Sequence, residues 1–254
     1  MTKERRQAVA DIAAILAVFL AAWHLSTSVF KWLDPVLFPT PLAVARLFWT
    51  ELPDMAKGLV SSAKLMGSAY LLALATGIPA GVVVGSSVRL RNAVGPFSKV
   101  LGAVPPIVCI PYAIALLPSF PAASIFVIWS GAFWPVFVNT VSGVVTIPRN
   151  LLDSARMLHL GRFAFYWKVV LPGAMPSILT GASLGLVFSF LLLTAAELIG
   201  ATEGLGWYVK NFSDFADYGR VVVGILFIGV VITALSAVFK LVERWLLRYR
   251  EVGK

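Results

Sequence analysis

Charged residues and cysteine are both scarce in this chain of 254 residues. Asp, Glu, Lys and Arg together make up only 13% of it, whereas about 25% is typical of soluble domains. The single cysteine, Cys109, cannot form an internal disulfide, and its apolar surroundings predict a buried, unreactive thiol. Hydrophobic residues account for 59% of the chain and form long runs. This combination predicts a protein embedded in a membrane.

Sequence motifs for catalysis, metal binding and nucleotide hydrolysis are also absent. The chain contains no GxxxxGK[ST] phosphate loop. The stretch GASLG at 181–185 has the spacing of a GxSxG nucleophile motif, but it lies inside an apolar span and not at the strand-to-helix turn that this motif requires. His24 and His159 are the two histidines, and no Cys/His cluster has the spacing of a metal site. We therefore predict a chain that is not an enzyme and binds no metal or cofactor. Energy for any uphill transport would come from a partner.

Six apolar runs are long enough to cross a membrane as helices, for which about 20 residues are needed. None alternates in the manner of a barrel strand, so we predict an all-α membrane protein with one domain over residues 1–254. The first run follows a basic head and lacks a small-residue cleavage site, which predicts a retained helix. The predicted spans are 9–30, 62–86, 94–118, 122–146, 172–200 and 218–242.

The distribution of basic residues predicts the orientation of these spans. If the spans alternate in direction, 15 of the 21 Lys and Arg residues fall on one side of the membrane. Positive charge concentrates in cytoplasmic segments, so both termini and the segment 149–171 are predicted to be cytoplasmic. Orientation in the membrane thus accounts for the net charge of +9, and we expect no nucleic-acid binding.

The first outer loop contains the sequence FPTPLAVARLF, in which Thr40 stands between two prolines. Thr40 can cap a new helix, predicted over about 41–52. Val44, Leu47 and Phe48 would share one face of that helix. This apolar face favours a helix lying at the outer membrane interface over a solvated loop.

Two spans carry small residues at intervals of four, a spacing that places them on one helical face for close packing. Such a face could pack within the chain or against a second copy. The second span contains Gly77, Gly81 and Gly85, and the fifth contains Ser177, Gly181, Gly185 and Ser189.

The third span, VPPIVCIPYAIALLP, contains four prolines. Each proline removes a backbone donor, and the carbonyl groups left free cannot face lipid without a partner. We predict a broken helix beside protein or a watered pathway, with a kinked packing helix as the alternative.

Few ionisable residues lie deep in the spans. Glu197, near the outer end of the fifth span, marks either a functional group or a paired structural site, and its position beside a loop favours structure. Lone hydroxyl groups in helices often bond back to their own helix. These polar residues are therefore candidates either for lining a pathway or for bonding within their helices. They are Tyr112, Asn139, Thr140, Ser189, Thr194 and Glu197.

The segment DSARMLHLGRFAFYWKVVLPGAMPSI interrupts the apolar spans. It predicts two short helices, the first beginning near Asp153, where a carboxylate complements the helix dipole. Ala155, Leu158 and Met157 could face a partner or the membrane surface, and Pro172 would start the fifth span. The segment is either an amphipathic cytoplasmic knob or an interfacial helix resting on lipid.

This segment resembles the EAA loop of ABC importer permeases, in which an acidic residue and two small residues precede a glycine and, after a gap, Leu-Pro. Asp153, Ser154 and Ala155 match that pattern, as do Leu171 and Pro172. The resemblance assigns ATPase coupling to Asp153, Ser154, Ala155, Arg156, Leu158, His159, Gly161, Leu171 and Pro172.

One position departs from the family pattern, because His159 stands where the family has glycine. Gly161 follows two residues later. Histidine adopts a left-handed turn less readily than glycine does, so the turn is expected at one of these two positions.

Segments along nearly the whole chain resemble the permease group that includes nitrate, taurine and alkanesulfonate importers. FPTPLAVARLF, KLMGSAYLLALATGIPAGVVVG and AAELIGATEGLGWYV occur in the order of that family. The resemblance implies a type I importer fold in the inner membrane of a prokaryote, with a second permease copy forming a homodimer. It also implies two cytoplasmic ATPases that hold ATP and Mg, and a periplasmic or lipid-anchored solute-binding protein.

The substrate implied by the resemblance is an organic or inorganic anion such as a sulfonate, taurine or nitrate. A self-contained secondary transporter or channel is the alternative. It would require ion sites repeated in two halves, and no internal repeat is evident. A membrane-embedded enzyme would require clustered catalytic groups near one interface, and the sequence contains none.

Overall fold

The computed structural model describes residues 3–34, 36–158 and 160–251, and within this part the chain is helical and has no strand. Short turns extend or join its helices: a π turn at Leu25–Val29, a 3-10 turn at Pro106–Cys109 and a second π turn at Tyr166–Val170. The helices are α1 Lys3–His24, α2 Pro41–Gly85, α3 Val88–Ala103, α4 Ile110–Leu116, α5 Phe120–Val145, α6 Arg149–Met157, α7 Arg162–Phe165, α8 Leu171–Gly200, α9 Leu205–Asp214 and α10 Tyr218–Glu251.

Within the described residues, five helical segments are long and apolar enough to cross a membrane. They are Ala10–Val29, Pro41–Gly85, Phe120–Val145, Arg162–Gly200 and Tyr218–Arg248. A sixth span results when α3 and the segment Pro106–Leu116 are taken together. The predicted all-α architecture is therefore confirmed, with five candidate spans, or six when the bent pair is counted as one, while the orientation of the termini stays a prediction.

The third span is broken, as its prolines predict. Its two halves are bent by 72°, and Pro105 between them has an extended backbone. The 3-10 turn that follows begins at Pro106, where the missing backbone donor falls in the first turn of a helix. Cys109 lies in this turn and is half-buried, so the prediction of a fully buried thiol is wrong.

The predicted short outer helix is wrong in its extent, because α2 continues without interruption for 45 residues. Its start is as expected, since the Ala43 N–H donates a hydrogen bond of 3.3 Å to Thr40 Oγ1. Val44 is buried, and the side chains beside it pack against Val223 and Phe227 of α10. The apolar face therefore packs inside the protein and does not lie on the membrane surface.

Helix α5 lies at the centre of the bundle, between α2 and α8, because glycines of both neighbours allow close approach. A Cβ atom added at Gly81 of α2 would lie 2.6 Å from Thr140 Cβ, and one added at Gly181 of α8 would lie 2.7 Å from Asn139 Cβ. Similar approaches to α5 are made by Gly77, Gly85 and Gly185. Both predicted small-residue faces are thus used within the chain.

Candidate functional site

The coupling segment, residues 149–171, begins with α6 at one end of the bundle. The helix begins four residues before Asp153, so this side chain lies in the second turn and not at the N-terminus as predicted. The Ser154 hydroxyl donates a hydrogen bond of 2.8 Å to the backbone oxygen of Asn150. His159 lies outside the described residues, as does the side chain of Arg156.

The apolar side chains of the coupling segment divide into a buried and an exposed set. Ala155 is buried within the chain, which corrects the expectation that it faces a partner. Met157 and Leu158 are 80% and 72% exposed, and Phe163 at the start of the next helix is 76% exposed. These three residues form the exposed apolar tip of the segment, a surface that can be covered by another molecule.

Gly161 does not adopt the left-handed turn considered from the sequence. Its φ of −59° and ψ of 152° are available to any residue, and an added Cβ would meet no atom within 4 Å. Gly161 instead precedes the first turn of α7. The backbone conformation at this position therefore gives no reason for glycine.

The end of the coupling segment runs directly into the fifth span. The Leu171 N–H donates to the Tyr166 oxygen five residues earlier, which forms the π turn, and Pro172 has no N–H to donate. Helical structure continues from Arg162 to Gly200 as a single span. Helix α8 itself begins at Leu171, with Pro172 in its first turn as predicted, and the π turn joins α7 to it without a loop.

Three of the six candidate pathway residues hydrogen-bond back to their own helices. Asn139 Nδ2 donates 2.8 Å to the Pro135 oxygen, and Thr194 Oγ1 donates 3.0 Å to the Phe190 oxygen. Both groups thus bond back to their own helices, and Thr140 does the same. Ser189 is fully buried with no hydrogen-bond partner among the described residues, whereas Tyr112 is 70% exposed.

Glu197 lies in a buried polar cluster at the end of α8 and does not line an open space. Only 1% of the residue is exposed. Its Oε1 accepts a hydrogen bond of 2.6 Å from Ser62 Oγ, and its Oε2 accepts one of 2.7 Å from the Gly206 N–H. The Leu205 N–H donates 2.9 Å to the same Ser62 oxygen. This arrangement is a paired structural site that links α2, α8 and α9.

A second polar cluster connects α2, α9 and α10 near the same end of the bundle. Arg220 Nε donates 2.8 Å to Glu51 Oε1, and its Nη1 donates 2.6 Å to Asp217 Oδ2. The Tyr208 hydroxyl donates 3.1 Å to Glu51 Oε2. Burial, with the Glu51 carboxylate beside it, raises the pKa of the Tyr208 hydroxyl, which therefore remains a donor at neutral pH.

Comparison with known proteins gives a family match over residues 77–248, to the family described as binding-protein-dependent transport system inner membrane component. The chain is 32% identical over 191 residues to the nitrate import permease protein NrtB of Leptolyngbya laminosa, covering 75% of this chain and 66% of that protein. It thus spans just under two thirds of that relative. It is 29% identical over 236 residues to the taurine transport system permease protein TauC of Escherichia coli, covering 90% of this chain and 86% of that protein.

Among solved structures, the chain is similar to a chain of the MetNI methionine ABC transporter, in a structure of its inward-facing conformations. The TM-score is 0.66 at 15% identity, and the match covers 78% of this chain and 98% of that one. At this level of identity the similarity concerns the fold alone.

Proposed function

The chain belongs to the inner membrane components of binding-protein-dependent transport systems, and we propose that it is the transmembrane permease subunit of an ATP-driven importer. Two copies of the chain form the translocation pathway, and two cytoplasmic ATPases bind ATP and Mg beneath them. Both termini and the coupling segment lie in the cytoplasm. The family match supports this assignment, together with the lack of a phosphate-binding motif in the chain.

The observation that carries the proposal is the apolar tip of the coupling segment. Met157, Leu158 and Phe163 are exposed, and from Arg162 onward the segment continues into the fifth span as helix. Exposed apolar side chains on a short helix suit insertion into a groove of a partner. A rigid connection to a span then transfers movement of that partner into the membrane domain.

The transported solute is a small anion, such as nitrate, taurine or another sulfonate, delivered by a periplasmic or lipid-anchored solute-binding protein. The names of the similar nitrate and taurine permeases support this substrate class. Among the residues whose burial the structure describes, no Lys or Arg is fully buried. A pathway without a buried cation holds an anion only weakly, so selectivity resides mainly in the binding protein.

Co-purification tests the proposed docking. The tagged chain is expressed with the ATPase and the binding protein proposed as its partners, and the ATPase recovered per permease is measured. We expect the variant Leu158→Asp to lose most of the ATPase, because a carboxylate would have to be buried in the partner's groove. The matched control is Phe215→Asp, at an exposed apolar residue (77% exposed) between α9 and α10. Equal recovery of ATPase with both variants would contradict the proposal.

A further inference from the structure

The start of α9 is held by side chains from two other helices. The first N–H groups of a helix have no partner within it and need one from elsewhere. In α9 the Leu205 N–H donates to Ser62 of α2, and the Gly206 N–H donates to Glu197 of α8. Glu197 also accepts the Ser62 hydroxyl, so one carboxylate joins the three helices. A carboxylate is favoured there by the helix dipole as well.

The close contact between this carboxylate and α9 depends on Gly204. Its φ of +119° is rarely adopted by residues with a side chain, and an added Cβ would lie 2.3 Å from Glu197 Oε1. The backbone thus comes close enough for the Gly206 N–H, in the first turn of α9, to donate a hydrogen bond to the carboxylate. Short hydrogen bonds in a buried setting make this linkage stiff, because water cannot replace either partner.

Glu197 also lies near the end of the helical segment that begins in the coupling segment. That segment runs for 39 residues from Arg162 to Gly200, a length of about 58 Å. Its first turn, α7, carries Phe163 of the apolar tip, and its last turn carries Glu197. A displacement of α7 therefore reaches Glu197 through one continuous helix.

We propose that Glu197 is a positioning residue that makes α9 move together with α8. A displacement of the coupling segment by the ATPases then becomes a displacement of α9 at the opposite end of the bundle. This inference rests on the proposed importer function.

The remaining contacts of α9 explain why loss of the carboxylate uncouples this helix without unfolding it. Leu205 and Tyr208 pack in an apolar cluster with Met55 of α2 and Val223 of α10. The Tyr208 hydroxyl bonds to Glu51 independently of Glu197. Without the carboxylate, α9 keeps its packing against α2 and α10. Its link to α8 is then limited to the four-residue connection and the close approach of Gly206 to the Thr194 backbone oxygen, so it follows α8 less closely.

The variant Glu197→Gln tests the proposal in the complete complex with ATPase and binding protein. The Ser62 hydroxyl and the Gly206 N–H donate to different oxygens of the carboxylate, and an amide replaces one of these oxygens with an NH₂ group that cannot accept, so one of the two bonds is lost. We expect the complex to assemble, while transport and the stimulation of ATP hydrolysis by the binding protein fall roughly fivefold or more, the range of an ordinary coupling free energy. The matched control is Ser61→Ala, which removes an exposed hydroxyl bonded to Glu203 next to Ser62 and leaves both readouts at wild-type values.

A distance measurement separates this inference from the proposed function, because it requires no partner. Spin labels are placed at Ile199 of α8 and Ser213 of α9, both exposed, in a Cys109→Ser background. We expect one narrow distance distribution in the parent and a broad one after Glu197→Gln. An unchanged distribution together with wild-type transport would overturn the inference.

If Glu197→Gln does not accumulate in the membrane, Ser62→Ala serves as the second variant. It removes one donor to the carboxylate and the acceptor of the Leu205 N–H, so a smaller broadening is expected. A distribution as narrow as the parent's in that variant would also overturn the inference.

Failure of the wild-type chain to bind an ATPase would contradict the proposed function, whereas the distance result would still decide the linkage of α8 to α9.

Discussion

At Gly204 the backbone conformation and the available space both require glycine. The φ of +119° is strained for other residues, and the neighbouring atoms belong to a buried carboxylate that is hydrogen-bonded on both oxygens. Movement of Glu197 to make room would break those bonds. This single position therefore maintains the connection between α8 and α9.

We predict that Gly204→Ala lowers the stability of the purified protein by about 1–3 kcal/mol, because it combines backbone strain with a clash. The measurement is thermal unfolding in detergent. The control is Gly229→Ala in α10, where an added Cβ meets no atom within 4 Å. Identical melting temperatures for the two variants would contradict the role given to Gly204.

The partners of Glu197 show what sequence reasoning can find at the scale of residues. A carboxylate near the end of an apolar span stands out in the sequence, and its structural role was favoured there. Ser62 did not stand out, since it is 135 residues away and serine is common in membrane helices. Hydrogen bonds between distant segments depend on the tertiary arrangement, which local composition does not contain.

Helix α2 illustrates how tertiary packing overrides local sequence preference. Pro53 lies inside this helix, although an interior proline costs about 3 kcal/mol, and the predicted short outer helix ended just before it, at about residue 52. Met55, two residues later, is fully buried against α9 and α10. This packing favours continuous helix on both sides of Pro53, a stabilisation that the sequence pattern does not reveal.

Close packing of α2 on α5 gives a prediction for the helix pair. Gly81→Ala should lower stability by about 1–3 kcal/mol, because the new Cβ would lie 2.6 Å from Thr140 Cβ and 3.0 Å from the Phe137 oxygen. The control on the same helix is Gly67→Ala, where no atom lies within 4 Å. The two variants are compared by thermal unfolding. A Gly81 variant as stable as the Gly67 variant would show that α2 and α5 can move apart without loss of stability.

At the scale of the whole molecule, the long apolar runs were the most reliable sequence feature for predicting the fold. They predicted the candidate spans, because crossing a membrane requires a helix of defined length whatever its neighbours, and four prolines predicted the break in the third span. The resemblance to the nitrate, taurine and alkanesulfonate permeases is confirmed by the family match. The start of α6 and the continuity of α7 with α8 were missed. Both involve short segments in which a proline or an acidic residue is compatible with more than one helical position.

Transport by the reconstituted complex tests the central claim most directly. The chain is incorporated into liposomes with its neighbouring ATPase, the binding protein is added outside, and uptake of labelled nitrate, taurine and an alkanesulfonate is followed with and without enclosed ATP. We predict uptake of one of these anions that requires ATP, the ATPase and the binding protein together. Uptake by the chain alone, without ATP or the ATPase, would contradict the account and indicate a self-contained transporter or channel.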